Sequence, residues 1–379
     1  MGGNTKIAIE MARCLAETRE VHVFLPRHKL PTFTDNLPSA NKIVFHALED
    51  YPKDDKFHPL GSSRWYLKRV RELFGTLSVG KDDFVFSCSD FHIDVLPIYP
   101  LQKEFGFRWI PSVFLFVPFI TENLSRDYRF PVFKYLIYWF YQHALFTLMK
   151  RRATAFVVTN KSDFGKFPRR FNGKLFAYYG GVNIEQIPQH SPPPPNSSTF
   201  SVVFCSRLHP QKGIDAFLDT WKLVIEKCPA ARLSVIGNGD SAYEAYLKEK
   251  ANRLGLSDSV TWLGYVNNEA KYEIYAKSDL LVHPTVFDNN GMVAAEALCT
   301  GLPVVMQDLP ALRDVYTVGC HKVPFGDRGA FADALVELAT DPEKRTALAP
   351  SPSQLADLRT HWRWEERAKE FMVWLESIA

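Results

Sequence analysis

The chain has 379 residues, of which 46% are apolar and 23% charged. That balance excludes a disordered or collagen-like polymer and leaves room for two domains, each with its own core. The net charge of +3 is uneven: residues 1–190 hold 26 Lys+Arg against 18 Asp+Glu, and the remainder 19 against 24. This is a split of +8 and −5 that suits two domains with different partners, although ordinary variation of solvated surface charge explains it as well.

The first predicted element is an amphipathic helix, "TKIAIEMARCLAE". The chain reaches it directly from Gly2-Gly3-Asn4, without the strand that precedes such a turn in a doubly wound sheet; a first strand is expected upstream, the alternative being a sheet built differently. Strands are expected at "EVHVFLP", "KIVFHAL", "DFVFSCS", "WIPSVFLFVPF" and "ATAFVVTN". Between the last two lies "FPVFKYLIYWFYQHALFTLMKRR", of near membrane-spanning length but interrupted by Lys134, Gln142 and His143. It reads as a helix partly in the core, with a face suited to a bilayer surface; a fully buried helix fits equally well. Arg64, Lys68, Arg69, Arg71, Arg169 and Arg170 would supply attraction to anionic lipid.

"PQHSPPPPNSSTF" reads as an extended linker. After it, strand and helix alternate: "TFSVVFCSR", "GIDAFLDTWKLVIEKCP", "ARLSVIG", "AYEAYLKEKANRLGL", "SVTWLGYV", "EAKYEIYAKS", "DLLVHPT", "GMVAAEALCTG", "LPVVMQD". Such alternation implies right-handed crossovers and a parallel sheet covered on both faces. The expected division is a first domain over 1–187, a linker over 188–199, a second domain over 200–356 and a C-terminal helix over 357–379. Six isolated cysteines (Cys14, Cys88, Cys205, Cys228, Cys299, Cys320) contain no C-x-x-C pair, which argues against a zinc ribbon or disulfide framework and for a reducing compartment. Residues 1–30 show no signal-peptide pattern, so a cytoplasmic location is expected. No repeat and no nucleic-acid motif is present.

In open α/β sheets ligands bind beyond the carboxyl ends of the strands. Two such ends carry chemistry. "SRLHPQKG" offers Arg207 and Lys212 on one strand-to-helix loop, a cradle for phosphate beside helix N–H groups, or else two solvated surface cations. "TVFDNNGMVAAEA" offers Asp288 and Glu296 eight positions apart; the N–H groups of Gly291, Met292 and Val293 between them would take anionic oxygen. Ionised acids only accept hydrogen bonds and therefore suit sugar hydroxyls, so the pair implies a hydroxylated ring on either side of a diphosphate. Taken singly, Asp288 also reads as a turn former and Glu296 as an ordinary helix acid. "VIGNGDSA" fits a G-x-G-x-x-A dinucleotide fingerprint, but the next strand, "TWLGYVNN", lacks the acid that the ribose requires.

Together "SRLHPQKGID", "LSVIGNGD", "VTWLGYV", "SDLLVHPTVFDNNGMVAAEALCTGLPVV" and "HWRWEERAKEFMVWL" resemble the retaining GT-B glycosyltransferases of family 4, also called glycosyl transferases group 1. The resemblance is specific over about 200–307 and looser before it. It implies an α/β fold of GT-B architecture: two doubly wound Rossmann-like domains facing a central cleft, with the C-terminal helix returning to the first. By similarity Asp288 contacts the donor sugar and Glu296 the ribose, while Arg207 and Lys212 neutralise the leaving diphosphate. Gly264 and Tyr265 would hold the base, Gly237 would form a tight turn near the ligand, and Gly2 and Gly3 would close on the phosphates. Asn289 and Asn290 stand where the family usually has Gly-Phe, and Asp288 where Glu is common, which leaves the donor sugar open. The family's first-domain His has no counterpart in "PSVFLFVPF"; His92, in "CSDFHID", is the candidate substitute.

The implied activity is metal-independent hexosyl transfer, with retention, from a UDP-sugar or GDP-sugar to a glycan or lipid-linked acceptor in surface polysaccharide or glycolipid synthesis. No cofactor and no D-x-D metal site is expected, nor the carboxylate pair of a hydrolase-style double displacement. Peripheral contact with an anionic membrane at its cytoplasmic face would accompany a lipid-linked acceptor. The alternatives are a nucleotide-binding scaffold that kept the fold and lost turnover and, resting on "GNGDSA" alone, an NAD-linked oxidoreductase.

Overall fold

The computed structural model describes residues 3–35, 37, 42–53, 58–117, 132–188 and 199–379. Gly2 and nearly all of the expected Pro-rich linker lie outside them. The chain forms two compact units, one built from the described residues up to Gly180 together with Trp364–Ala379, the other from Gly181–Arg363.

In the first unit β1 (Val21–Pro26) and β2 (Ile43–Leu48) pair in parallel, Val21 opposite Ile43. Strands β3 (Phe84–Ser87), β4 (Arg108–Val113), β5 (Phe156–Val158) and β6 (Leu175–Ala177) form a second parallel ladder in chain order. The helix Pro59–Thr76 buries Tyr66, Val70 and Phe74, four apart, because that spacing lines one face of a helix. Phe74 meets Phe24 and Phe107 edge-on at 5.4 and 5.6 Å, joining strands and helix in one aromatic core. "FPVFKYLIYWFYQHALFTLMKRR" becomes the helix Val132–Arg152, which buries Gln142, Leu145, Phe146 and Met149. No helix among the described residues is long and apolar enough to cross a membrane.

The expected C-terminal helix over 357–379 is two helices, Pro352–His361 and Trp364–Ser377. The break has a local cause. The Trp362 carbonyl accepts the Val182 N–H at 2.7 Å, and its ring stacks on Tyr316 at 5.6 Å. Arg359 donates to the Cys299 carbonyl at 2.9 Å and holds the shorter helix on the second unit. The division therefore falls between Arg363 and Trp364 instead of after 356. The final helix belongs to the first unit, where Glu365 pairs with Arg13 of the helix Gly3–Leu15 at 2.9 Å.

The second unit is a six-stranded parallel sheet with β7 (Ser201–Cys205), β8 (Arg232–Ile236), β9 (Val260–Gly264), β10 (Leu280–His283), β11 (Val304–Gln307) and β12 (Cys320–Val323). Its spatial order is β12-β11-β10-β7-β8-β9. Chain order thus runs outward in one direction from β7 and in the other from β10. At such a switch the loops after the two central strands diverge to opposite faces and leave a crevice. Trp221, Phe217 and Leu335 pack beneath the sheet, fully buried.

Candidate active site

The loops at this switch point are sewn to one another by backbone. Ser206 N–H donates to the Ile236 carbonyl at 3.0 Å, Leu208 N–H to Asn238 at 2.9 Å, and Gly237 N–H to Gly264 at 2.7 Å. Two glycines make the close approach feasible. Gly237 has φ 129°, and a Cβ there would stand 1.9 Å from the Ser206 carbonyl oxygen; at Gly213, φ 73°, it would stand 2.0 Å from that of Pro284. On the other side Val286 N–H donates to the Gln211 carbonyl at 3.0 Å, and the Gln211 amide to that of Phe287 at 2.7 Å.

This arrangement delivers Lys212 to Asp288, with Nζ 2.6 Å from Oδ2. The other oxygen, Oδ1, accepts the N–H groups of Asn290 and Gly291, each at 3.2 Å, and His283 Nε2 lies 3.5 Å from Oδ2. Burial alone would raise the Asp288 carboxyl, but Lys212 and His283 more than reverse this and hold it well below the usual range. Burial also lowers His209, and the charges of Arg207 and Lys212 add to the effect, so His209 is neutral near pH 7. The expectation that Gly291 N–H takes an anion is corrected: Asp288 occupies it. The first-turn donors left for a ligand are those of Met292 and Val293, which the helix cannot satisfy itself. Tyr316 fixes the same turn from behind, its hydroxyl 2.7 Å from the Asn290 carbonyl and 2.9 Å from that of Gly291.

Glu296, one turn further on, is buried and paired with Lys271 at 2.8 Å. Lys271 Nζ also lies 3.3 Å from Asn268 Oδ1 and 4.9 Å from the Tyr272 ring. Asn268 in turn donates to Gln186 at 2.9 Å. Beneath, burial pushes the Cys205 thiol up to about 11, so it stays protonated.

Arg207 is exposed and borders a cavity of about 460 Å³ with His209, Asn238, Gly239, Asp240 and Tyr243. Gly264 ends β9 with φ 66° and open space beyond its Cα, and Tyr265 is 75% exposed beside it. Asn289 is buried, and Asn290 Oδ1 is buried without a hydrogen-bond partner among the described residues. Asp240 accepts from the N–H groups of Ala242 and Tyr243 at 3.0 and 3.3 Å. A carboxylate thus sits where a dinucleotide pyrophosphate would need those amides, which removes the physical basis for the oxidoreductase reading. Gly3 opens a helix of the first unit. In that unit His92 Nδ1 lies 2.6 Å from the Tyr141 hydroxyl.

Residues 199–341 match the model of the family described as "Glycosyl transferases group 1". They are a group 1 glycosyl transferase domain. The chain is 31% identical over 206 residues to a phosphatidyl-myo-inositol mannosyltransferase of Mycobacterium leprae, covering 52% of each protein. It is 28% identical over 179 residues to a lipopolysaccharide core biosynthesis mannosyltransferase of Rhizobium meliloti, covering 45% of this chain and 50% of that one. It therefore spans about half the length of these curated relatives. Among solved structures, the sucrose-phosphate synthase of Thermosynechococcus elongatus superposes with a TM-score of 0.76 at 16% identity, covering 97% of this chain and 92% of that one. An Anabaena protein, HepE, solved with UDP and glucose, gives 0.73 at 16% identity, covering 99% and 96%. These neighbours establish the GT-B fold.

Within the transferase domain, the sequence pattern singled out Arg207, Lys212, Asp288 and Glu296 but missed the residues that hold them. Lys271 had a readable signal: in "EAKYEIYAKS" it stands four before Tyr275, on the face that the domain buries. Tyr316 and His283 had none, because their contacts come from turns distant in the chain.

Proposed function

We propose that the protein is a glycosyltransferase that moves a hexose from a nucleotide diphosphate-sugar, UDP- or GDP-linked, to a glycan or lipid-linked acceptor. The carrying observation is the 2.6 Å contact between Lys212 and Asp288 at the sheet's switch point, which brings the cationic loop and the hydroxyl-accepting loop to one place. In this reading Arg207, Lys212 and the Met292 and Val293 amides hold the diphosphate, Asp288 the sugar, Glu296 the ribose, and the segment at Gly264 and Tyr265 the base. Breaking the C1–O bond places negative charge on the leaving phosphate and positive charge on the sugar ring. Fixed cations and amides aimed at that phosphate lower the barrier without rearranging. The acceptor hydroxyl then adds on the same face and passes its proton to the leaving phosphate oxygen, giving retention without a metal. The relatives' names, a phosphatidyl-myo-inositol mannosyltransferase and a lipopolysaccharide core mannosyltransferase, support a product among cell-surface glycolipids or polysaccharides.

Calorimetry with UDP, GDP and ADP, followed by assay of sugar release and transfer, tests this. Arg207→Ala should cost about tenfold or more in rate, the worth of one charge-assisted hydrogen bond. Absence of binding to every nucleotide would refute the proposal. Binding without turnover over a donor and acceptor panel would favour the scaffold reading, for which Asp288's existing engagement with Lys212 and the loop amides speaks.

A further inference from the structure

The helix Val132–Arg152 has a solvent-facing line that its helical spacing defines. Ile137, Phe140, Ala144, Thr147 and Arg151 are all exposed, at steps of three and four residues. The line is about 21 Å long at 1.5 Å per residue. One end is apolar, with Ile137 54% and Phe140 63% exposed. The other ends on a cavity of about 490 Å³ lined by Thr147, Lys150, Arg151, Lys166 and Arg170, beside Phe167 and Pro168.

The four cations at this cavity come from two segments, the last helical turn and the 166–170 loop. Among the described residues only Lys166 has a carboxylate partner, Asp163 at 2.7 Å. Lys150 and Lys166 rest on the Phe146 and Phe116 rings, with Nζ 4.4 and 4.5 Å from their centroids. Arg170 donates to the Lys150 carbonyl, an ordinary cap for a helix end, which accounts for one cation there. Lys150 has only a ring contact, and Arg151 is exposed with no carboxylate partner among the described residues, so the cluster keeps a net positive charge. By contrast, two cations that the sequence marks elsewhere in this unit are neutralised, Arg69 by Glu49 and Arg71 by Glu104.

We infer that this helix face docks on an anionic phospholipid surface, with lipid phosphate entering the Lys150–Arg151–Lys166–Arg170 cavity and Ile137 and Phe140 passing below the headgroups. The inference rests on the glycosyltransferase reading only for its purpose, bringing the protein to a lipid-linked acceptor. Charge complementarity selects the partner: an apolar edge joined to a cationic cavity matches acyl chain and phosphodiester in that order. A soluble protein partner would leave the cations without this layered match.

The test is co-sedimentation of the full chain with vesicles of phosphatidylcholine, with and without phosphatidylglycerol, at low and high salt. Binding to the anionic vesicles alone, weakened by salt, is expected. Lys150→Ala and Arg151→Ala should each weaken it about fivefold, the worth of one surface cation, and Ile137→Ser with Phe140→Ser should remove what survives salt. If the Lys150 variant melts early, Arg151→Glu at its exposed position carries the test. Equal sedimentation by the variants, or equal binding to neutral vesicles, overturns the inference. So does calorimetric binding of inorganic phosphate without vesicle binding, which would assign the cavity to a soluble phosphorylated ligand. Nucleotide calorimetry on the same variants should be unchanged; its failure in the parent protein would strike the proposed function and leave the docking result standing.

Discussion

Replacing Lys271 by Met keeps the length of the side chain and removes its charge. Glu296 would then be left with 7% of its surface exposed and no counter-ion at 2.8 Å. The Coulomb attraction at that distance is about 6 kcal/mol at an effective dielectric constant of about 20. Part of it is already spent on desolvating both ions, so losing one partner should cost about 3–5 kcal/mol. For a unit of this size that corresponds to roughly 6–20 °C in melting temperature. Urea unfolding followed by tryptophan fluorescence, with and without UDP and GDP, measures it. Lys271→Met/Glu296→Gln removes both charges together and should recover most of the stability while still losing nucleotide affinity. A single variant as stable as the parent, or a double variant as damaged as the single, would show that the pair carries no coupling and refute the reasoning.

Gly237→Ala combines a strained φ with a Cβ 1.9 Å from a carbonyl oxygen, and should cost at least about 2 kcal/mol in a urea titration. Tyr316→Phe leaves two turn carbonyls without their donor and should cost about 1–3 kcal/mol, with weaker nucleotide binding by calorimetry. The Asp288 carboxyl is depressed in the folded state, so its stabilisation is present above the unfolded value near 4 and lost as pH falls through the lower folded value. Asp288→Asn should therefore be less stable at pH 7 and show a flatter acid-unfolding curve below about pH 4. An unchanged curve would mean that Lys212 does not hold that charge.

The second unit was legible because its strands are short β-branched runs, each followed by a helix closed with Gly, Pro or a polar cap. Strand β6 is three residues long, and β12, "CHKV", is a half-exposed edge strand without apolar alternation; both escape a pattern reading for those reasons. The C-terminal helix was drawn too long because what interrupts it is a hydrogen bond from Val182, far away in sequence. At the site, loop chemistry announced the charged residues. Their pairing was hidden, because it depends on which strands lie side by side, and β7 and β10 are neighbours only through the reversal of strand order.

That Lys212 is already matched by Asp288 means that, of the two cations on its loop, Arg207 is the one without a carboxylate partner among the described residues. A plain phosphate that drew the lysine to itself would leave the Asp288 carboxylate buried without its counter-ion. A molecule that carries both an anion for the cation and a hydroxyl for the freed acid would compensate both groups at once, so under the proposed function this pair favours a sugar phosphate over plain phosphate.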